Sequence, residues 1–404
     1  MKRKSMGMPS SSRGTVFRNS RYGGGNNARP KRQQGQYIDP RKFVNTAVAP
    51  QDEVPFEAVH TFADFGFAPE LARSISDKGY VNPTPIQDGS MKPAMAGQDV
   101  IGLANTGTGK TAAFVLPIIH QMITSRNQHA ALIIAPTREL AVQINDEFKA
   151  FAKGLGLYSA LCLGGVNITR QIEQLRRNPQ VVIGTPGRLK DLYNQRALKL
   201  NRFNILVLDE ADRMLDMGFI RDIRFIVDQL PKLRQTLCFS ATITPDIQVL
   251  LDDMLVDPVT ISVRTSETSD HVQQDVIKAS SKEEKFDILS ELLQKPDYDK
   301  VLVFGQTKHS VQRLADNLTK RGITAEAIHG NKSQPQRQRA LKAFKDGKVA
   351  VLIATDVAAR GLDIPMVSHV INFDQPTTYD DYVHRIGRTG RAGNRGHALT
   401  FIPA

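Results

Sequence analysis

Short apolar runs, each ended by polar, glycine- or proline-bearing sequence, recur through the first two thirds of this 404-residue chain. They are Val100–Leu103, Ala131–Ala135, Tyr158–Leu163, Val181–Ile183, Ile205–Leu208 and Thr236–Phe239, with helical periodicity over Ala112–Ile123, Glu139–Phe151 and Ile220–Gln229 between them. Runs this short fall well below the ~20 residues of a membrane span. Because they are near-continuously apolar, they predict strands covered on both faces, which means a parallel sheet layered with helices. Such sheets bind ligands beyond the carboxyl ends of their strands. The turns that follow the runs are Pro136-Thr137-Arg138, Gly164-Gly165, Thr185-Pro186-Gly187-Arg188, Asp209-Glu210-Ala211-Asp212 and Ser240-Ala241-Thr242, and all should crowd one edge.

The turn after the first run is Ala104-Asn105-Thr106-Gly107-Thr108-Gly109-Lys110-Thr111. Strand, glycine-rich turn and helix start make the context of a phosphate-binding loop. Gly107 and Gly109 let backbone N–H groups converge on phosphate oxygens at a helix N-terminus. Lys110 would reach the β- and γ-phosphates of ATP, and the Thr111 hydroxyl would ligate Mg²⁺. Ala104 occupies the place of the first glycine in the general pattern. About 100 residues on, four apolar residues lead into Asp209-Glu210. There Asp209 would hold Mg²⁺ and Glu210 would act as general base on the attacking water. Upstream of the loop, Tyr80 to Gln87 is stiffened by Pro83 and Pro85. Tyr80 is positioned to stack on a base, and the Gln87 amide offers the donor and acceptor that adenine's N6/N7 edge requires.

A second alternation follows a polar stretch: Val301–Phe304, Ala325–His329, Val349–Ala354, His369–Phe373 and Ala398–Ile402 as strands, with helices near Phe286–Leu293, Val311–Arg321, Gln336–Lys345 and Tyr379–Arg385. It contains no phosphate loop of its own, so it is expected to complete the first domain's site. Arg388 and Arg391, three residues apart, are the groups that would stabilise transition-state charge on a γ-phosphate. The expected organisation is a tail over 1–51, a first α/β domain over 52–263, a linker over 264–271 and a second α/β domain over 272–404.

Net charge is +12, and residues 1–42 hold eleven Lys or Arg against the single acid Asp39. A segment this basic, with few large aliphatic residues, cannot bury enough surface to offset its ordering entropy and reads as disordered. It suits a non-specific arm for a polyanion, with Tyr22 and Tyr37 available to stack. Two cysteines, Cys162 and Cys238, lie inside apolar runs and read as buried in a reducing compartment. Lys2-Arg3-Lys4 leads into Ser and Gly with no apolar stretch behind it, so a cytoplasmic protein is expected.

Taken in order, these motifs resemble the DEAD-box ATP-dependent RNA helicases, whose name is spelled by Asp209-Glu210-Ala211-Asp212; the resemblance spans about residues 62–404. It implies two tandem RecA-like, doubly wound parallel-sheet domains. It also implies that Phe62, Tyr80, Pro85 and Gln87 read adenine, and that Ala104 to Thr111, Gly361, Asp363, Arg388 and Arg391 bind ATP. Asp212, Ser240, Thr242 and His384 would couple the ATP site to RNA. Pro136, Thr137, Arg138, Gly164, Gly165, Thr185, Gly187 and Arg188 would contact RNA from the first domain, and Gln306, Thr307, Gln334, Arg337 and Thr355 from the second. His329-Gly330-Asn331-Lys332-Ser333-Gln334 resembles the bacterial RhlE-type branch.

Two departures from the family pattern stand out. Asn105 occupies a position usually held by Gln, and the chain ends thirteen residues after Arg391, without the helix that usually closes the second domain. Either the sequence is truncated there, or a face of that domain is expected to lie uncovered. The leading expectation is an ATPase that opens short RNA duplexes, or remodels ribosomal or messenger ribonucleoprotein, without reading sequence; the alternative is an ATP-timed RNA clamp or annealing chaperone. A DNA helicase is disfavoured by the glutamine motif together with the Asp-Glu-Ala-Asp box.

Overall fold

The computed structural model describes residues 38–45, 56, 58–105, 107–125, 129–263, 272–359, 364, 367–390 and 396–404. The first sheet comprises β1 (Val100–Leu103), β2 (Ala131–Ile134), β3 (Ser159–Cys162), β4 (Val181–Gly184), β5 (Ile205–Asp209), β6 (Gln235–Ser240) and β7 (Val259–Ser262). Its order is β3-β4-β2-β5-β6-β1-β7, parallel throughout. The second comprises β8 (Val272–Ala279), β9 (Val301–Phe304), β10 (Ala325–Ile328), β11 (Val351–Ala354), β12 (His369–Asn372) and β13 (Gly396–Pro403), in the order β10-β11-β9-β12-β13-β8, again parallel.

The central strands are buried at every position, as their composition demanded. Along β2, alternate residues serve opposite faces: Ala131 and Ile133 join one core cluster, Leu132 and Ile134 the other. The helices start where hydroxyl side chains cap them. Thr137 accepts from the Leu140 N–H at the start of the helix Arg138–Phe151, and Thr307 from Ser310 N–H at the start of Lys308–Lys320. These caps lie at the carboxyl ends of β2 and β9. Each chain reversal thus delivers a threonine and an adjacent cation or amide to the carboxyl edge of its own sheet.

The segment 38–45, assigned from its composition to the disordered tail, is structured. Pro40–Phe43 form one turn of 3-10 helix, capped by Asp39 Oδ1 accepting from the Arg41 N–H at 2.9 Å. Phe43 is 1% exposed and belongs to a cluster with Val272, Tyr382, Ile386, Ala398 and Ile402, against which Ile38 also packs. Asn45 pairs with Gln274 as an antiparallel bridge on β8, with N–H···O distances of 3.0 and 2.8 Å. The segment thus covers part of the second sheet at β8 and β13. Burying a phenylalanine stabilises by roughly 1.5–3 kcal/mol, and the bridge protects an otherwise free sheet edge. The rest of the basic tail, residues 1–37, and the linker 264–271 lie outside the described residues.

Candidate active site

Gly107 and Gly109 both have φ of +89°, a conformation that side chains disfavour. At Gly109 a Cβ would collide with the Gln87 amide nitrogen. The loop is braced from outside: Thr84 Oγ1 donates to the Thr108 carbonyl at 2.7 Å, and Gln87 Nε2 donates to the Gly109 carbonyl at 3.1 Å. Gln87 Oε1 accepts from the Thr84 N–H at 2.9 Å. Both polar atoms of the Gln87 amide are therefore engaged with protein, and the residue is buried. In this structure it holds the phosphate loop, where the sequence had suggested that it faces the base. Pro85 opens the helix Pro85–Met95 that presents it.

Tyr80 does line the nucleotide pocket. Its hydroxyl donates to Glu147 Oε1 at 3.0 Å, and its ring meets Phe62 and Phe151 edge-on at 5.8 and 5.5 Å. Burial and the neighbouring Glu147 raise its hydroxyl pKa above the ordinary value. Phe62 thus supports the tyrosine from behind. Asn105 lends its carbonyl to the Thr108 hydroxyl at 2.8 Å, so the loop closes on itself with asparagine in place. Thr106 lies outside the described residues.

Lys110 is buried, and its ammonium donates to the Ala104 carbonyl at 2.9 Å. Asp209 and Glu210 sit at the end of β5, each 2% exposed. Burial raises the Asp209 pKa to about 7, opposed by Lys110 and reinforced by Glu210 and Asp212. Asp209 Oδ1 and both carboxylate oxygens of Glu210 have no hydrogen-bond partner among the described residues, although Arg213 Nε stands 3.5 Å from Glu210 Oε2. Glu210 has φ +54°, left-handed and rare for a residue with a side chain. Such strain is typical of functional positions. Buried carboxylate oxygens without donors are the environment a hard divalent cation satisfies; the residues present fit Mg²⁺.

The pocket, about 490 Å³, is closed by residues from both domains: Lys345 and Arg388 from the second line it together with Gly107, Lys110, Thr111, Asp209 and Glu210 from the first. Next to it, Asp212 Oδ2 accepts from the Ala241 and Thr242 N–H groups at 2.9 and 3.1 Å and from the Thr242 hydroxyl at 3.4 Å. The Asp212 N–H donates to Ser240 Oγ at 3.2 Å, and that hydroxyl donates to the Thr242 carbonyl at 2.8 Å. The ends of β5 and β6 are thereby locked to each other. His384 lines a small cavity between the domains, with Arg213 on one side and Asp356, Arg385 and Arg388 on the other.

Away from the nucleotide pocket, Thr137, Arg138, Gly164, Gly165, Thr185, Gly187 and Arg188 all follow β2, β3 and β4 at their carboxyl ends. Gly165, at φ +72°, leaves room for the Arg138 guanidinium: a Cβ there would meet Nη1 at 2.5 Å. Arg188 donates to the Val166 carbonyl at 3.0 Å. In the second domain the Gln306 N–H donates to Asp374 Oδ2 at 2.7 Å. Thr355 follows β11, and Pro136 follows β2. Gln334 is 4% exposed, with neither amide atom partnered among the described residues. Arg337, grouped by sequence with the RNA contacts, instead pairs across the domains with Glu139 Oε2 at 2.9 Å, the two side chains being 9% and 3% exposed. Burial lowers the Arg337 pKa, with Glu139 opposing the shift.

Comparison with known proteins places this geometry. Residues 84–250 match the DEAD/DEAH box helicase family and residues 284–393 the helicase conserved C-terminal domain. An ATP-dependent RNA helicase CshA from Limosilactobacillus reuteri is 46% identical over 84% of this chain and 69% of its own. The chain belongs to the DEAD-box family of ATP-dependent RNA helicases. The CshA of Listeria monocytogenes is 47% identical over 84% of this chain and 66% of its own, so the chain spans about two thirds of the length of such relatives. Among solved structures, S. cerevisiae Dbp5 bound to RNA and ADP BeF3 matches with TM-score 0.75 at 32% identity, covering 85% of this chain and 90% of that one. Mss116p bound to ssRNA and AMP-PNP matches with TM-score 0.76 at 29% identity, covering 85% and 74%.

Two features of this DEAD-box site escaped the sequence. Lys345, the last residue of the helix Gln334–Lys345, reaches the nucleotide pocket. Arg385, 2% exposed, grips Asp356 through Nε and Nη2 at 2.6 and 2.7 Å and donates through Nη1 to Asn372 Oδ1 and the Asp374 carbonyl. It fastens the helix Tyr379–Ile386, which leads to Arg388, to the ends of β11 and β12. Its place in the arginine-rich run was the available signal. Gly361, Asp363 and Arg391 lie outside the described residues.

Proposed function

We propose that this DEAD-box chain is an RNA-stimulated ATPase that uses Mg²⁺-bound ATP to open short RNA duplexes, or to remodel RNA–protein complexes, without reading base sequence. The observation that carries this reading is the shared pocket, in which Arg388 and Lys345 face Lys110, Thr111, Asp209 and Glu210. Backbone N–H groups of the glycine loop and Lys110 bind the phosphates. Thr111 and Asp209 would hold Mg²⁺, which when bound neutralises charge on the β- and γ-phosphates. Glu210 takes the proton from the attacking water, and Arg388 stabilises charge on the γ-phosphoryl group as it transfers. Asp212 passes the state of this centre to Thr242 and the RNA face.

The RNA side offers Thr, Arg, Gly and Gln groups suited to backbone contacts, which position a strand without specifying it. With duplex stacking worth ~1.4 kcal/mol per step on DNA values, one closed clamp opens only a few pairs. The buried Glu139–Arg337 pair favours a second reading, a clamp whose grip ATP merely times. A duplex of roughly 12 base pairs, within one A-form recognition span, separates the two: unwinding that requires hydrolysis supports the helicase, and equal release with a non-hydrolysable analogue supports the clamp. The finer placement in the RhlE-type branch rests on His329–Gln334, whereas the relatives above carry the CshA name. The basic residues 1–37 are proposed as the non-specific RNA arm, with ribosomal or messenger ribonucleoprotein as targets, and the cytoplasm as location on the support of two free, buried cysteines.

The direct test is steady-state ATPase with and without RNA. Glu210→Gln is expected to retain ATP binding while losing hydrolysis by at least ~10²-fold, the scale of a positioned base. Lys110→Ala is expected to lose ATP affinity. Equal ATP affinity in Lys110→Ala and the parent would refute the site.

A further inference from the structure

The segment 38–45 sits on the second domain although it precedes the first in the chain. Its anchor, Phe43, packs at 4.7 Å between ring centroids on Tyr382, a fully buried residue in the middle of the helix Tyr379–Ile386. The Tyr382 hydroxyl donates to Gln274 Oε1 at 2.8 Å, and Gln274 is the residue whose backbone Asn45 bridges. Lys42 stands over the Tyr379 ring at 5.2 Å. One short segment therefore contacts both β8 and the helix, and that helix carries His384 and Arg385 and ends two residues before Arg388.

We propose that residues 38–45 form a strap that holds the finger helix in place for catalysis, with Phe43 as a positioning residue, and that doubles as a second tether between the domains. This builds on the ATPase reading above. The strap grips one face of the helix and Arg385 the other end, so Arg388 projects from an element fixed on two sides. The tether follows from connectivity. Asn45 on the second domain and Ala58 on the first are thirteen residue steps apart, a reach of at most roughly 45 Å. Val263 and Val272, flanking the linker, are nine steps apart, roughly 30 Å. With the strap seated, separation of the domains is limited along two paths.

The experiment compares the full chain with its Phe43→Ala and Phe43→Leu variants, neither of which changes charge. The readouts are RNA-stimulated ATPase, ATP affinity without RNA, and amide exchange by segment. Phe43→Ala is expected to lower the RNA-stimulated turnover number by about 10-fold, as displacement of a catalytic group does. ATP affinity should be unchanged, and exchange should rise in Tyr379–Ile386 and Val272–Ala279. Phe43→Leu should recover most of both effects. Turnover and exchange in Phe43→Ala equal to the parent would overturn the proposal. So would a rise in exchange spread evenly over all six strands of the second sheet, since Phe43 would then merely stabilise the domain. A parent chain with no RNA stimulation would defeat the ATPase reading, whereas the exchange pattern would still report whether the strap is seated.

Discussion

Single side chains at this site do two jobs that compete. Asp209 and Glu210 are held nearly dry, and the raised pKa of Asp209 is the electrostatic consequence. Gly165 illustrates the same economy on the RNA side. Its positive φ and the Arg138 guanidinium above it leave no place for a methyl group. Gly165→Ala is therefore expected to cost about 1 kcal/mol in backbone strain and to push Arg138 out of register. The apparent RNA affinity from ATPase titrations should fall several-fold while ATP affinity without RNA stays level; unchanged RNA affinity would show that Arg138 does not touch the strand.

Between elements, the Glu139–Arg337 pair joins the helices Arg138–Phe151 and Gln334–Lys345 from different domains. Removing one member of a buried pair leaves the other charged and dry, typically a loss of ~3–5 kcal/mol. In this case the loss falls on the closed arrangement alone. Glu139→Ala should shift an interdomain fluorescence-transfer signal toward the open state with ATP and RNA present, and leave the thermal midpoint nearly unchanged without them. The elements themselves were largely legible: buried parallel strands announce themselves as apolar runs, and the phosphate loop as a fixed spacing of glycines ahead of Lys110. β7 and β8 were not, because Val-Thr-Ile-Ser and Val-Gln-Gln-Asp contain no continuous apolar run. Phe43 is a lone aromatic in a polar stretch and sets up no period. The hold of Gln87 on the phosphate loop was not legible either, since an amide matches a loop carbonyl as well as it matches adenine. An ion pair between two domains has no signature in local spacing, so the Glu139–Arg337 contact was not legible in the sequence.

For the whole molecule, the division of the pocket makes a sharper claim. The first domain alone, about residues 58–263, holds the phosphate loop, Asp209 and Glu210 and should bind nucleotide. It lacks Arg388, so RNA should not stimulate it. In the full chain Arg388→Ala should keep ATP affinity within a few-fold and reduce RNA-stimulated turnover by ~10³ or more, as loss of an arginine finger does. Stimulation of the isolated domain by RNA would contradict a site built from two halves.

The seat of Phe43 also fixes an order of events during synthesis. Its partners Tyr382, Ala398 and Ile402 are made roughly 340 to 360 residues after it. At ~5–20 residues per second, Phe43 and Ile38 leave the ribosome some tens of seconds before their docking site exists. The first sheet can close in that interval, and the apolar pair must stay harmless meanwhile, flanked by Arg41 and Lys42. Among the described residues, strap closure thus joins positions very far apart in the chain and must wait for β13, so a newborn molecule can seat its strap only once the second sheet is in place.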